Sequence, residues 1–335
     1  MSPVFGEKIK ITVFGQSHSE AIGVVIDSLP AGIEIDFGEL AQFMARRATG
    51  QNSYSTQRKE ADKIKVLSGI VNSKTCGAPL CAIIENTNTR SQDYDNLLEI
   101  PRPSHADYSA HIKYNGFNDI RGGGHFSGRL TAPLCIAGGI AKQILAQKNI
   151  TVDAKILSIG GIENKGDKFI SDEIIKAIDD VRTKGDSLGG IIECVVNGVP
   201  AGIGDTMSGS LESKISSSIF AIPAIKGIEF GNGFECASLK GSHNNDPFYF
   251  DGDIVRTKTN NHGGILGGIS SGMPIVFRVA VKPTPSISIE QESVNLKTKE
   301  NVKLNIQGRH DPCIVPRAVP CIEAVTAITI LEEML

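Results

Sequence analysis

The sequence predicts a single mixed α+β domain, on three observations. Strand-like apolar runs and helical periodicities succeed one another along all 335 residues. The two halves run through these elements in a similar order, although no fixed-period repeat shows in the residues. No Pro/Ser-rich linker divides them. The length prior of roughly two domains therefore gives way to one domain over 1–335 with pseudo-repeated halves.

The elements follow in order. "EKIKITVFG" and "AIGVVIDSL" read as strands around the short loop "QSHSE". "DFGELAQFMARRA" reads as a helix, with Asp36 as N-cap and Glu39 at capping-box spacing. Leu40, Phe43 and Met44 share one face, and Arg46 and Arg47 fall at its end, where cations suit the helix dipole. "DKIKVLSGIV" and "APLCAIIEN" read as paired strands. "LTAPLCIAGGIAKQILAQK" reads as a long apolar helix capped by Thr131, with Pro133 tolerated in its first turn. In the second half, "VDAKILSIGGI", "GGIIECVVNGV" and "MPIVFRVAV" read as strands. "SDEIIKAIDDVRTKG", "GSLESKISSSIFAI" and "AVPCIEAVTAITILEEML" read as helices.

Composition excludes several classes of function. The formal net charge is −3, so the chain as a whole is no polyanion binder and nucleic acid is not expected as a partner. No apolar run approaches the ~20 residues that span a bilayer, and the opening "MSPVFGEKIKITVFGQSH" does not read as a signal peptide. Seven cysteines stand singly, without a CxxC pair. They read as reduced, mostly buried thiols in a cytosolic protein without a structural metal site. Glycine is the outlier at 36 residues, about 11% where ~7% is usual. That excess suits a backbone that approaches a ligand closely.

The densest cluster is "NDIRGGGHFSGRLTAP", residues 118–133. His18, His105, His125, His243, His262 and His310 all lie in polar or Gly-rich contexts, whereas His111 reads as an ordinary helix residue. One such histidine alone reads as a loop residue; six together point to at least two at a site. Their spacing matches no compact metal motif, which favours acid–base or hydrogen-bonding roles. Arg46, Arg47, Arg58, Arg102, Arg121, Arg129, Arg309 and Arg317 sit beside Gly, Pro, Ser, His or one another. A single one reads as solvated charge; the group suits a small polyanion, because guanidinium forks match carboxylate and phosphate. Neither GxGxxG nor a Gly-Lys pair occurs, so the dinucleotide fingerprint and the P-loop are both missing. "GISSG" matches GxSxG, but the following "MPIVFRVAV" alternates as a strand, whereas a nucleophile elbow leads into a helix. "VKPTPSI" offers Lys282, Thr284 and Ser286 as phosphate donors, or is simply a Pro-terminated strand end.

Three stretches together resemble the signatures of the chorismate synthase family: "FGQSHSEAIG", "RPSHADYSAHIKYNGFNDIRGGGHFSGR" and "GRHDPCIVPRAVP". "YSTQRKEAD", "NTNTRSQDY", "GGILGGISSGMPI" and "VKPTPSI" add to the resemblance, which runs in family order over essentially the whole chain. It implies conversion of 5-enolpyruvylshikimate 3-phosphate to chorismate by anti-1,4-elimination of phosphate, with reduced FMN required and no net redox change. It also implies a β-α-β sandwich with helices between two antiparallel sheets, a homotetramer, and a cytoplasmic location. Carried over residue by residue, His18, His105 and Asp311 take catalytic roles: acid at the leaving phosphate, partner of the reduced flavin, and proton relay. Ser17, Arg46, Arg47, Arg129 and Arg309 become substrate contacts. His125, Phe126, Ser127, Pro223, Ala224, Gly267, Lys282, Pro283, Thr284, Pro285, Ser286 and again Arg309 become flavin contacts, and Arg47 the NADP contact. The bottom-up reading fits a substrate with one phosphate and two carboxylates, and a histidine of pKa ~6.5 supplies imidazolium near neutrality.

Two departures mark this chain. Where the family commonly has "GESHG" and "RRRPG", it has "GQSHS" and "ARRATG"; an arginine often found at Ser53 is missing. Where the family has "RGGGRSSARE", it reads "RGGGHFSGRL", with His125 and Phe126 in place of Arg and Ser. A flavin-dependent oxidoreductase and a non-catalytic homologue stand as alternatives. Net NADPH oxidation without the shikimate substrate would distinguish the first, and the presence of His18, His105 and Asp311 argues against the second.

Overall fold

The computed structural model describes residues 4–48, 50, 62–87, 99–166, 168–306 and 311–335. The first half contributes β1 (Val4–Phe5), β2 (Lys10–Gly15), β3 (Ala21–Asp27), β4 (Lys65–Ser68), β5 (Ile70–Val71), β6 (Lys74–Thr75) and β7 (Leu80–Glu85). The second contributes β8 (Thr151–Ile159), β9 (Ile162–Glu163), β10 (Gly190–Asn197), β11 (Ile225–Phe230), β12 (Phe248–Asp251) and β13 (Ile254–Thr257). It continues with β14 (Ile265–Leu266), β15 (Ile269–Ser270), β16 (Ile275–Val281), β17 (Gln291–Asn295) and β18 (Glu300–Leu304). The helices are α1 (Phe37–Arg47), α2 (Asp107–Lys113), α3 (Thr131–Ala146), α4 (Asp172–Thr183), α5 (Leu211–Phe220), α6 (Gly241–Asn244) and α7 (Val315–Glu333).

Each half builds one five-stranded antiparallel sheet. The first has the order β1-β2-β3-β7-β4 and the second β11-β16-β10-β8-β9. Alternate side chains explain why each sheet is covered on one face. In β3, Ile22, Val24 and Ile26 are buried; in β16, Ile275, Phe277, Val279 and Val281. The covering helices are α3, against β2, β3 and β7, and α7, against β8 and β10; α3 and α7 also pack on each other. Nearly every residue of both is buried, as expected for helices that are apolar all round. By contrast, α1 and α4 carry apolar stripes, and α1 rests on α3 and α7.

The strand and helix expectations hold for these elements, with two shifts at helix starts. Thr131 does not cap α3. A 3₁₀ turn, Gly128–Leu130, precedes the helix and is capped by Ser127, whose Oγ accepts from the Arg129 N–H. The Thr131 hydroxyl instead donates back to the Gly128 carbonyl at 2.7 Å. The last helix begins at Val315, earlier than its apolar run, because Pro316 occupies the first turn where no N–H is needed, and it carries Pro320 inside. Asp36 caps α1 as expected, accepting from the N–H groups of Gly38 and Glu39. All seven cysteines are free; Cys135, Cys194, Cys313 and Cys321 are buried, while Cys76 and Cys236 are exposed.

Two features fasten the helical layer. At the α3–α7 crossing, Gly138 lies so close that a Cβ there would stand 2.2 Å from the Ala324 Cα. Beside it Glu323, 1% exposed, holds a buried carboxylate on α7. Both nitrogens of the Arg46 fork donate to it at 2.7 Å, as does Lys142 from α3, and the Ala154 N–H of β8 donates at 3.1 Å. Burial alone would raise the Glu323 pKa, but the Arg46 hydrogen bonds and the Lys142 charge outweigh it and hold the group below its ordinary 4.5.

Gly138→Ala is expected to cost ~1–3 kcal/mol by overpacking against α7 backbone. Gly241→Ala, with nothing within 4 Å of the new methyl, should stay within ~0.5 kcal/mol. Equal urea midpoints for the two variants would refute this packing account. Glu323 has a depressed folded pKa, so its stabilisation is fully present above the unfolded value and is lost as pH falls through the folded one. Glu323→Gln should therefore lower stability by ~3 kcal/mol at pH 7 and flatten the further loss below about pH 4.5. Urea titrations at neutral and acid pH read both effects, and parallel pH slopes for variant and parent would contradict the assignment.

Candidate functional site

Several segments far apart in sequence converge where loops leave the two sheets. The first is Gln16–Ser19, between β2 and β3; its carbonyls at Gln16 and Ser19 accept from the Asn86 amide at 3.2 and 2.8 Å. The second is the loop 121–126. Gly122, Gly123 and Gly124 all have positive φ, at 60°, 84° and 54°, the left-handed region that favours glycine. The first two are flanked by histidines. A Cβ on Gly122 would lie 2.6 Å from Ser17 Oγ and 2.7 Å from His18 Nε2. One on Gly123 would lie 3.4 Å from the His105 ring. Bare backbone therefore runs between His18 and His105. The Ser17 N–H donates to the Gly124 carbonyl at 3.1 Å and fixes the loop to the first segment.

His125 and Phe126, the residues that break the family pattern, hold this loop from behind. His125 Nδ1 lies 2.9 Å from the Gly15 carbonyl, which can only accept, so that nitrogen is the donor. The Phe126 ring tilts against Tyr114 with centroids 6.3 Å apart. Arg121 forks onto Asp119 at 2.9 Å and is largely exposed, so it does not bracket the loop with a free charge. The Arg121 hydrogen bonds hold the Asp119 carboxyl below its usual range, against a smaller opposing effect of burial, and the nearby His18 charge lowers it further.

Asp62, His105 and Asp311 each meet a guanidinium. Asp62, 5% exposed, pairs with Arg47 at 2.6 Å and with Arg129 through its other oxygen. Burial would raise its pKa, but the charges of Arg47 and Arg129 prevail and lower it. Arg47 also donates to Thr131 Oγ1 at 2.9 Å and to the Gly128 carbonyl at 3.2 Å, and Arg129 donates to Asn86 Oδ1 at 3.2 Å. Arg317 donates to the Arg47 carbonyl at 2.9 Å and pairs with Asp311. Among the described residues, three guanidiniums thus face two carboxylates, a concentration of positive charge that suits an anion. On the other side of the loop, Asp107 takes Arg102 and His105. Arg102 reaches on to Ser286 Oγ at 3.1 Å.

The 282–286 segment, expected from the resemblance at the flavin, lies against this second cluster. Lys282 donates to the Ser104 carbonyl, and its backbone N–H to the Ala224 carbonyl at 3.0 Å. Ala224 itself takes a positive φ of 75°. Burial and then the Lys226 charge lower the Lys282 pKa. Ser187 Oγ donates to the Thr284 carbonyl at 2.7 Å, and the next residue, Leu188, bonds back to Pro312 beside Asp311. Ser17 Oγ and Thr284 Oγ1 are buried with no hydrogen-bond partner among the described residues. Unsatisfied buried hydroxyls are costly and point to an acceptor or donor supplied by a ligand.

The structure therefore gathers Ser17, His18, His105, Arg47, Arg129, Asp311, Ser127, Ala224 and the 282–286 loop around one region, while for Pro223 it shows only an exposed position next to Ala224. Arg46 is not brought to it, because Glu323 holds its fork on the α7 side. Gly267 lies at the turn of the β14–β15 hairpin, whose bonds run to Gly202, Ile203 and Leu211 instead. Arg309, His310, Ser53 and Arg58 lie outside the described residues. Ser270 of "GISSG" donates to the Pro200 carbonyl at 2.6 Å between two strands, so no nucleophile elbow forms. Among the described residues no group of three or more metal-ligating side chains exists, and no helix is long and apolar enough to cross a membrane. Sequence reasoning missed Asp62, Asn86, Asp107 and the pairing role of Arg317. The His-x-Asp spacing of His105 and Asp107 was the available signal; Asp62 and Asn86 are revealed only by contacts across the fold.

Residues 9–335 match the family model described as chorismate synthase. The chorismate synthase of Dehalococcoides mccartyi strain BAV1 is 45% identical over 99% of this chain and 96% of its own length. That of Thermococcus kodakarensis is 44% identical, over 98% and 97%. A solved structure titled as a crystal structure of chorismate synthase superimposes with a TM-score of 0.76 at 27% identity, covering 99% of this chain and 93% of that one.

Proposed function

The chain belongs to the chorismate synthase family, and on that premise we propose how its own residues carry the reaction. It is a lyase that converts 5-enolpyruvylshikimate 3-phosphate to chorismate in the shikimate pathway. The observation that carries the proposal is the bare glycine backbone between His18 and His105, with the concentration of guanidinium charge beside it.

The residues present fit reduced FMN, the family's cofactor. Gly122 and Gly123 leave room where any Cβ would meet Ser17, His18 or His105, and the orphan hydroxyl of Thr284 lies on the Lys282–Ser286 loop. Lys282, Thr284, Ser286, Ala224 and Ser127 are the residues that would hold it. Bound reduced flavin supplies transient electron density to the breaking carbon–oxygen bond, with no net redox change over the cycle.

The chain does the rest. Arg129 and Arg47 bring positive charge to a substrate with one phosphate and two carboxylates. His18 protonates the leaving phosphate oxygen from Nε2, the nitrogen turned to Gly122. Ser17 Oγ, buried beside it without a partner, donates to the same anion. Asp311, oriented by Arg317, relays the proton that remains once the ring has lost its hydrogen. His105 exchanges a proton on the other face of the loop. The architecture is a sandwich with pseudo-repeated halves in one domain over 1–335, and the enzyme works as a cytoplasmic homotetramer.

Under anaerobic conditions, with dithionite-reduced FMN, the purified protein should release chorismate and phosphate in equal amounts from 5-enolpyruvylshikimate 3-phosphate. Absence of product would sink the assignment. A parallel run with NADPH as sole reductant tells whether the chain also reduces its flavin. His18→Ala should lower kcat ~100-fold or more and leave FMN affinity within about twofold of wild type. A variant with wild-type kcat would remove His18 from the acid role.

A further inference from the structure

We infer that Asp107, clamped by Arg102, is a positioning residue that fixes His105 in its Nδ1–H form, leaving Nε2 as the nitrogen that exchanges protons over the glycine loop. The inference rests on the proposed role of His105 and adds to it which nitrogen acts and what sets it.

The geometry leaves one consistent protonation pattern. Asp107 is buried, and its carboxylate is bound along both oxygens by one guanidinium. Arg102 Nε lies 2.7 Å from Oδ2 and Nη2 lies 2.9 Å from Oδ1; the Arg102 backbone N–H adds a bond to Oδ2 at 3.0 Å. Burial would raise the Asp107 pKa, but the Arg102 and His105 hydrogen bonds outweigh it and hold the group far below the carboxylate range. Such a carboxylate has no proton to give. His105 Nδ1 stands 2.6 Å from its Oδ1. That contact is attractive only if Nδ1 carries the proton. Arg102 Nη2 also lies 3.0 Å from Nδ1, but a guanidinium only donates, so with Nδ1–H in place its bond goes to Oδ1. The ring's other edge faces Gly123, where a Cβ would stand 3.4 Å from Nε2. The charged groups around this imidazole are Asp107 of α2, Arg102 before it, Lys282 after β16, and His18 across the glycine loop.

A neutral His105 in this state offers a lone pair at Nε2 and, once protonated there, a donor that Asp107 stabilises, the logic of an imidazole oriented by a carboxylate. In Asp107→Asn the amide can turn its NH₂ to Nδ1 and force the proton onto Nε2. The variant should lose ~100-fold or more in kcat with KM changed less than threefold. Asp107→Glu, which keeps a carboxylate for Nδ1, should recover part of that kcat, as a merely space-filling role would not. Wild-type kcat in Asp107→Asn would overturn the inference. The second measurement needs no mutated clamp. In ¹⁵N-histidine-labelled wild-type protein without flavin, the signal missing in His105→Gln should report protonated Nδ1 and bare Nε2 when neutral. Nε2–H there would overturn the inference in a fully active enzyme. The expected tautomer in a chain that makes no chorismate would uphold the clamp and reject the functional reading instead.

Discussion

Everything near the site hangs on one buried carboxylate. Asp62 stands between Arg47, at the end of α1, and Arg129, at the start of α3, and takes one guanidinium on each oxygen. Without it two buried cations would face each other, and breaking such a pair costs ~3–5 kcal/mol. The clamp sets the distance between α1 and the glycine loop, because Arg47 also binds the Gly128 carbonyl and Thr131. It reaches Asp311 as well. The Arg47 carbonyl, one of the unsatisfied groups at a helix C-terminus, is bonded by Arg317, whose other arm holds Asp311.

With that frame fixed, the loop 121–126 can take a path that no other residue type permits. Three consecutive residues in the left-handed region are costly for L side chains, and in glycine the cost is entropic only. Its return is closeness. Ser17 and His18 lie against one glycine and His105 against the next, so two imidazoles reach the same narrow space from opposite walls. His125 is bonded to the Gly15 carbonyl and Phe126 rests against the Tyr114 ring. The departure from the family pattern thus goes into securing the loop.

The electrostatics follow from guanidinium pairing. Asp62, Asp107 and Asp119 are each held below the ordinary carboxylate range, and each has an arginine as partner. These acids are ionised throughout the neutral range, so the groups that orient the site keep their charge there. One acid must deliver a proton while the groups that orient it stay constant.

The sequence by itself determined much of this protein. Alternating apolar runs gave the strands of both sheets, and the apolar runs of 130–148 and 318–335 marked the two central helices, because burial on every side leaves no polar face. The glycine triplet, the loop histidines and the arginines near the ends of elements marked the site, since those residue types carry conformational freedom and charge that a core does not need. The tertiary structure alone decided which charge meets which. Arg46 and Arg47 are neighbours in sequence, yet the helix turns one to Glu323 and the other to Asp62, a difference of about 100° around α1. The link from Arg317 to the end of α1 and the reach of Arg102 to Ser286 likewise depend on contacts between separate segments. Local patterning fixes period and polarity, whereas partner choice is set by distances that exist only after the chain has packed.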